Sequence, residues 1–246
     1  MYGTYDYGLT LEKETIKLNV EKRGDLFIYR REAQSGISEK ILGPNKNRIM
    51  IHPIEPLTKP KQVTRFLEFA IDPIFLDPES KKSIFLKFPI EIGVFVVSEM
   101  TTEVLDTFSL NTAKYSLYGT PRSGVITRWS KSKIFSGIPE MNPLREGVVY
   151  LTIHNSTREF VEVSKIVLDG SKMILYFGDF VGTKVKMNII SLQVAETSCI
   201  DEPLEKGMIK ALDLFKAKGL PVIGKYEIKG IGDVELRVFL MEWGLK

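Results

Sequence analysis

The sequence predicts a mainly β protein of two β-sandwich-like domains, the second carrying one amphipathic helix. Short segments with alternating apolar residues recur along the chain, and Gly, Pro, Asn and Asp separate them. Long stretches show no helical period. With 246 residues, of which 43% are hydrophobic, the chain is long enough to bury two cores.

Four segments of the first half have the alternation of strands, and a longer apolar segment follows them. The four are TIKLNV (15–20), DLFIYRR (25–31), RIMIHPI (48–54) and RFLEFAI (65–71). In SIFLKFPIEIGVFVV, alternate residues from 84 to 96 are all apolar. Pro89 has no N–H to donate to a ladder and Gly93 weakens one, so we expect two strands or one bulged strand there.

The segment GIPEMNPLREG (137–147) is the best candidate for a domain boundary, because it combines two prolines, two bounding glycines and few apolar residues. We place the boundary near residue 142, which gives predicted domains of residues 1–142 and 143–246. Strand patterns of the second half lie within 148–177, at 184–194 and at 234–241. Asn155-Ser156-Thr157, a formal glycosylation sequon, is predicted to be a turn between two strands.

The one predicted helix lies near residues 203–218, in PLEKGMIKALDLFKAKG. Pro203 suits a first helical turn, and the acidic residues before it suit the positive end of a helix. Gly219 suits its end. An apolar stripe at helical spacing consists of Leu204, Met208, Ala211, Leu212 and Phe215. We expect this stripe to dock on a sheet.

Composition indicates an unexported protein. The N-terminus lacks a basic segment followed by an apolar one, and nowhere do 18 uncharged apolar residues run together. The single cysteine excludes an internal disulfide, which suits a reducing compartment. We therefore expect a soluble, cytoplasmic protein without a membrane span. Only three Gln against many Lys, Glu and Ile is typical of a heat-loving organism.

Residues that support catalysis or metal binding are few. His52 and His154 are the only histidines, and neither has a His, Cys or Glu at metal-motif spacing, so we expect hydrogen-bonded histidines at strand margins. Cys199 is expected to be an inert, partly buried thiol. Neither GTPRSG nor GIGDVE has the residues that a phosphate loop or a dinucleotide site needs. The sequence therefore predicts no catalytic residue, no metal and no cofactor.

Glu91 is the carboxylate most difficult to interpret, because it lies in the apolar run PIEIGVFVV. It shares a predicted strand face with Lys87 and Gly93, so we expect a mixed, partly solvated face. The alternative is a buried carboxylate with a raised pKa or a paired cation.

A basic stretch occupies the middle of the chain. Residues 107–139 contain no Asp or Glu, while Lys114 and four further cations lie among them. The pattern predicts two strands, 114–118 and 124–129, joined by a turn with Arg122 at its tip. The candidate anion-binding residues are Arg122, Arg128, Trp129, Lys131 and Lys133. Alternation places Trp129 and the two lysines on one face and Arg128 on the other, so an alternative is a hairpin that its charges keep soluble.

Three segments resemble an archaeal protein family known only as a domain of unknown function. They are MYGTYDYG, RFLEFAIDPIFLDPESKKSIFLKFPIEIGVFV and YSLYGTPRSGVITRW. The resemblance covers most of the chain and implies an archaeal, cytoplasmic protein. The family has no assigned activity, so the resemblance implies no catalytic residue.

The absence of clustered His, Cys or carboxylates favours a noncatalytic binding or protein-interaction module over an enzyme. The expected partner is another protein. Two alternatives stay open, namely anion or nucleic-acid binding through residues 114–133 and an enzyme with dispersed carboxylates.

Overall fold

The computed structural model describes residues 1–43, 47–56, 60–214, 238–241 and 244–245. This part of the chain is mainly β, as predicted, with nineteen strands and a short 3₁₀ helix at Gly170–Lys172. The strands are β1 (Gly3–Asp6), β2 (Thr10–Lys13), β3 (Ile16–Arg23), β4 (Leu26–Ala33), β5 (Gly36–Leu42), β6 (Arg48–Ile54), β7 (Val63–Leu76), β8 (Lys81–Pro89), β9 (Glu91–Val97), β10 (Thr102–Phe108), β11 (Tyr115–Tyr118), β12 (Val125–Lys131), β13 (Glu146–Asn155), β14 (Val161–Asp169), β15 (Tyr176–Phe177), β16 (Val181–Ser191), β17 (Val194–Ile200), β18 (Ile209–Lys210) and β19 (Val238–Met241).

The first pair of packed sheets uses the N-terminal strands together with β9 and β10. One sheet has the order β1-β6-β9-β10, and the other is the meander β2-β3-β4-β5. Alternation determines which residues form the core, since Ile16, Leu18 and Val20 of β3 are buried while Lys17 between them is exposed. Their side chains pack with Ile49, Val94 and other residues of the facing sheet. We call this unit the first sandwich.

The second pair of packed sheets contains the remaining strands. One sheet has the order β11-β12-β7-β14, and the other has the order β18-β15-β16-β13-β8, with β17 and β19 continuing from β16. The pairs β12–β7 and β13–β16 are parallel. Phe69 of β7 and Phe88 of β8 meet edge to face in the shared core, with ring centroids 6.5 Å apart. We call this unit the second sandwich.

Strand pairing joins the two halves of the chain that the sequence divides at residue 142. β8 pairs with β13 over nine residue positions, and β7 pairs with β14. The core of the second sandwich contains residues from both sides of the predicted boundary. The division into residues 1–142 and 143–246 stays a prediction, but this pairing argues against independent folding of the two halves.

The predicted amphipathic helix is wrong for the described part of its range. Residues 203–213 form turns, the two-residue strand β18 and extended segments, while residues 215–218 lie outside the described residues. Gly207 has φ = +96°, a value that ends a right-handed helix. Ile209 and Lys210 instead pair with β15, and the Leu204 side chain packs closely over Gly182 of β16. Tertiary pairing thus overrides the helical spacing of the stripe.

Most of the other predicted strands are confirmed, including Arg48–Ile54 at its predicted bounds. The long apolar segment forms two strands, β8 and β9, that separate at Ile90, next to the proline that ends β8. Among the described residues, no helix has the length and apolar character needed to cross a membrane.

Candidate functional site

The basic stretch forms the predicted hairpin of β11 and β12. Tyr118 lies opposite Val125, and residues 119–124 form the turn, in which Arg122 is exposed. The Gly124 N–H donates to the Thr120 carbonyl oxygen at 2.6 Å, and a Cβ at position 124 would lie 2.6 Å from that same oxygen. Only glycine fits this close approach, so GTPRSG is a turn sequence.

Arg128 points away from the exposed cations and is buried. Its Nη1 donates to Glu91 Oε1 at 2.7 Å, and the two side chains are 4% and 1% exposed. The expectation of a partly solvated Glu91 is therefore wrong, and the alternative of a buried carboxylate with a paired cation is correct. Because Glu91 begins β9 of the first sandwich and Arg128 belongs to β12 of the second, this ion pair links the two sandwiches.

Four cations of the basic stretch remain at the surface, namely Lys114, Arg122, Lys131 and Lys133. None of them lies within 4 Å of a carboxylate oxygen among the described residues. Trp129 is half-buried, and the Lys114 Nζ lies 5.9 Å from the centroid of its ring. Arg128 thus lies apart from the other candidate anion-binding residues, as strand alternation predicts. Anion binding by this hairpin stays a prediction.

Two further buried ionisable side chains, His52 and Glu55, lie at the end of β6 that pairs with the start of β9. Glu55, directly after β6, is buried, and its burial raises its pKa to about 8; the charges of Asp213 and Glu91 act in the same direction. At neutral pH its carboxyl group therefore carries a proton. His52 is also buried, and its Nδ1 accepts a hydrogen bond from the Leu212 N–H at 3.1 Å.

The histidines have structural hydrogen bonds, as predicted. Burial lowers the pKa of His52 to about 4, so this imidazole is neutral near pH 7. His154 Nδ1 lies 3.0 Å from the Ser156 hydroxyl oxygen. In the described part of the chain, no three His, Cys, Asp or Glu side chains are placed to hold a metal ion.

Cys199 is the one cysteine, and its surroundings fit the expected inert thiol. Burial raises its pKa to about 12, and the nearby Asp169 carboxylate acts in the same direction. A small cavity at this point is lined by Leu168, Asp169, Lys172, Thr197, Ser198 and Cys199. The thiol is therefore protonated at neutral pH and a poor nucleophile.

Three connections meet at one end of the second sandwich, and buried Asn155 holds two of them together. Its Nδ2 donates to the carbonyl oxygens of Asp77, in the β7–β8 connection, and Glu159, in the β13–β14 connection, at 2.9 and 2.8 Å. Its Oδ1 accepts from the Thr157 N–H and hydroxyl. The third connection joins β16 to β17, and the Ser156 N–H donates to Ile189 near it. We call these three connections the loop end.

Large apolar side chains are exposed around the loop end. They are Phe75 (68% exposed), Phe160 (66%), Ile190 (48%) and Leu192 (39%). The exposed charges of the β7–β8 and β13–β14 connections are three carboxylates and one guanidinium, namely Asp77, Glu79, Glu159 and Arg158. The surface therefore combines apolar side chains with a mainly acidic border.

Sequence reasoning placed a turn at Asn155-Ser156-Thr157, which in the structure begins at Ser156 after the last residue of β13, and it missed that the Asn155 side chain holds two connections together. An Asn-x-Thr turn directly after an apolar strand carried a signal, because an amide can donate to two connections at once. The loop end itself was not predicted, since its members come from three distant parts of the chain.

A model of the family described as "Protein of unknown function (DUF432)" matches residues 1–237 of the chain. No curated protein and no solved structure is significantly similar to it.

Proposed function

The chain belongs to the DUF432 family of unknown function, and we propose that it is a noncatalytic protein-interaction module that binds its partner through the loop end. The observation that carries the proposal is the exposure of Phe75 and Phe160, each about two thirds exposed, next to a connection that a buried amide fixes. Exposed apolar side chains on fixed connections are typical of recognition surfaces.

Rigidity at this end supports binding. Asn155 is fully buried, and both its carbonyl oxygen and its amide nitrogen are hydrogen-bonded, so the connections lose little conformational entropy when a partner docks. The mainly acidic border favours a protein with an apolar patch over an anionic membrane, which would select a basic border.

The test is a variant that carries Phe75→Ser and Phe160→Ser. Both side chains are mostly exposed, so the variant is expected to keep the melting temperature of the wild type within a few degrees. A partner captured by the tagged wild-type chain from its native organism, and then purified, should bind the variant at least about tenfold more weakly in calorimetry, about 1.4 kcal/mol.

Met100→Ser provides the matched control, because Met100 is 93% exposed but lies in the β9–β10 turn of the first sandwich. Equal affinity of the wild type and the Phe75→Ser/Phe160→Ser variant for the purified partner would refute a loop-end interface. Binding to phosphatidylserine vesicles that the same variant loses would instead indicate a membrane surface.

Anion or nucleic-acid binding by the basic hairpin is the second candidate. It is supported by the four exposed cations, none within 4 Å of a described carboxylate, and by the half-buried Trp129, on which a base can stack. Arg128 is excluded from direct contact with such a ligand, because it is buried against Glu91. Phosphates would bind Arg122, Lys131 and Lys133.

Titration with single-stranded RNA, single-stranded DNA and inorganic phosphate tests this candidate. Affinity for the nucleic acids should fall steeply between about 50 and 200 mM salt. Joint replacement of Arg122, Lys131 and Lys133 by Ala should weaken binding further, while Lys17→Ala/Lys22→Ala on β3 should leave it within the smaller loss expected from net charge alone. Absence of binding at low salt contradicts the candidate.

We also propose that the protein works in the cytoplasm of a heat-loving archaeon. The single cysteine and the bias toward Lys, Glu and Ile support this setting. A melting temperature above about 80 °C is expected, and one in the usual mesophilic range of about 45–65 °C would contradict it.

A further inference from the structure

The outer edge of the first sandwich is an apolar strand. β5 pairs with β4 on one side, and on its other side no described strand pairs with it. Ile37 and Ile41 are 67% and 71% exposed and lie on the same face, two positions either side of Glu39. An edge strand of seven residues with exposed isoleucines is a template for further pairing.

We infer that β5 pairs antiparallel with β5 of a second copy of this chain, about a two-fold axis at Glu39, so that the two meanders form one eight-stranded sheet. This register places Ile37 opposite Ile41 of the second copy, and Ile41 opposite Ile37. It is the one register that matches both apolar pairs and keeps each sheet face continuous, because opposite residues share a face.

Symmetry of the strand is what selects a second copy as the occupant. The sequence GISEKIL carries its two exposed isoleucines at equal distances from its centre, and a two-fold interface requires a self-complementary surface. This association involves none of the loop-end residues and is independent of the function proposed for them.

The centre of the interface carries charges of both signs. Glu39 would face Glu39 of the second copy, but Arg30 of β4 lies opposite each Glu39, with Nη1 3.8 Å from Oε2. The same guanidinium lies closer to Glu32, whose Oε1 accepts from its Nε and Nη2 at 3.0 and 2.7 Å, so each Arg30 offsets the charge of its Glu39 only in part. Lys40 does not block the edge, because its Nζ is held by the Leu105 carbonyl oxygen.

Oligomeric state gives the first test. Light scattering coupled to gel filtration at about 100 μM should give twice the mass of one chain. Replacing both Ile37 and Ile41 by Thr, which keeps a β-branched side chain, should raise the dissociation constant at least about tenfold in analytical ultracentrifugation. Met100→Ser should leave it unchanged. A monomeric wild type, or a dimer that the Thr variant does not weaken, overturns the inference.

Disulfide formation tests the register. In this register, residue 39 is the only residue of β5 that lies opposite the same residue of the second copy. In a Cys199→Ser background, Glu39→Cys should therefore oxidise rapidly to a covalent dimer. Ile41→Cys should not, because the two copies of that residue would lie about 14 Å apart along the strand. Glu12→Cys, an exposed position on the opposite edge strand β2, measures cross-linking by collision. Cross-linking of Glu39→Cys no faster than that of Glu12→Cys overturns the inference.

Discussion

Replacement of Glu91 by Gln should strongly destabilise the protein. The carboxylate lies 2.7 Å from the Arg128 guanidinium, and both side chains are almost fully buried. Glu91→Gln keeps the size of the side chain but leaves a buried guanidinium without this counter-charge. Breaking a buried pair in this way costs about 3–5 kcal/mol. We therefore expect a loss of that size in the free energy of unfolding, measured by urea denaturation at pH 7.

A double variant separates the charge from the packing. Arg128→Met combined with Glu91→Leu removes both charges, and apolar pairs of similar volume replace buried ion pairs with little loss. The double variant should therefore be more stable than Glu91→Gln, although it changes more atoms. The control is Asp6→Asn, which removes the exposed ion pair between Asp6 and Arg48 and should cost less than about 1 kcal/mol.

Two results would refute this reasoning. A loss below about 1 kcal/mol for Glu91→Gln would mean that water or another group compensates Arg128 at no cost. A double variant less stable than Glu91→Gln would mean that the pair contributes net stability rather than mutual compensation. Both results are read from the same denaturation curves, provided that the two sandwiches unfold in one transition.

Three further predictions concern buried polar groups. The pKa of Glu55 in the folded protein, about 8, lies above its ordinary value of 4.5, so the stability tied to its proton is complete below about pH 4.5 and lost as the pH rises through 8. Urea denaturation should therefore show a smaller loss of stability from pH 5 to pH 9 for Glu55→Gln than for the wild type. Asn155→Ala leaves buried backbone groups unpaired, so in the same assay it should lower the free energy of unfolding by about 2–4 kcal/mol. Asn188→Ala should lower it by less than about 1 kcal/mol, and equal losses for the two variants would contradict the role of Asn155 in holding the connections together. With a pKa of about 12, roughly one Cys199 thiol in ten thousand is ionised at pH 8. Ellman's reagent should therefore react at least about a hundredfold more slowly with the native chain than with the urea-unfolded chain. Similar rates for the two would show an accessible thiolate.

Local patterns were sufficient to predict most of the strands. In β3 and β13, alternate residues are apolar and buried, so the period of the sequence equals the period of the structure. The hairpin of β11 and β12 was predicted for the same reason, together with its turn at Arg122. Short strands such as β15 and β18 have two residues each, too few for a period, and only tertiary pairing creates them.

The predicted helix shows how a period can mislead. Leu204 and Met208 have helical spacing, but Leu204 packs over Gly182 of β16, where a Cβ would lie 3.1 Å from its Cδ2, and Met208 lies beside Gly178 between β15 and β16. Extended and turn segments can bury the same residues that a helix would bury. Gly207, inside the predicted helix, was the local signal against it, since glycine is a poor helix former.

Glu91 illustrates a limit of strand alternation. Alternation placed it on the same face as Gly93 and Phe95, and partial exposure to solvent was the simplest expectation for that face, whereas both faces of β9 are buried at this end. Its actual neighbour is Arg128, 37 residues later in the chain and in the other sandwich. No local pattern encodes such a contact. The order of the strands in the sheets determines which part of the protein covers this face of β9, and that order cannot be read from neighbouring residues.

The same contact explains why the five cations of the basic stretch do not share one surface. A β-strand turns alternate side chains to opposite faces, so the two cations of β12, Arg128 and Lys131, divide between the sandwich junction and the surface. The inward cation, Arg128, requires a carboxylate there, and Glu91 supplies it. The outward cations have no such requirement, which is why only they are available to a ligand, and why replacing Arg128 should change stability while replacing Lys131 and Lys133 should not.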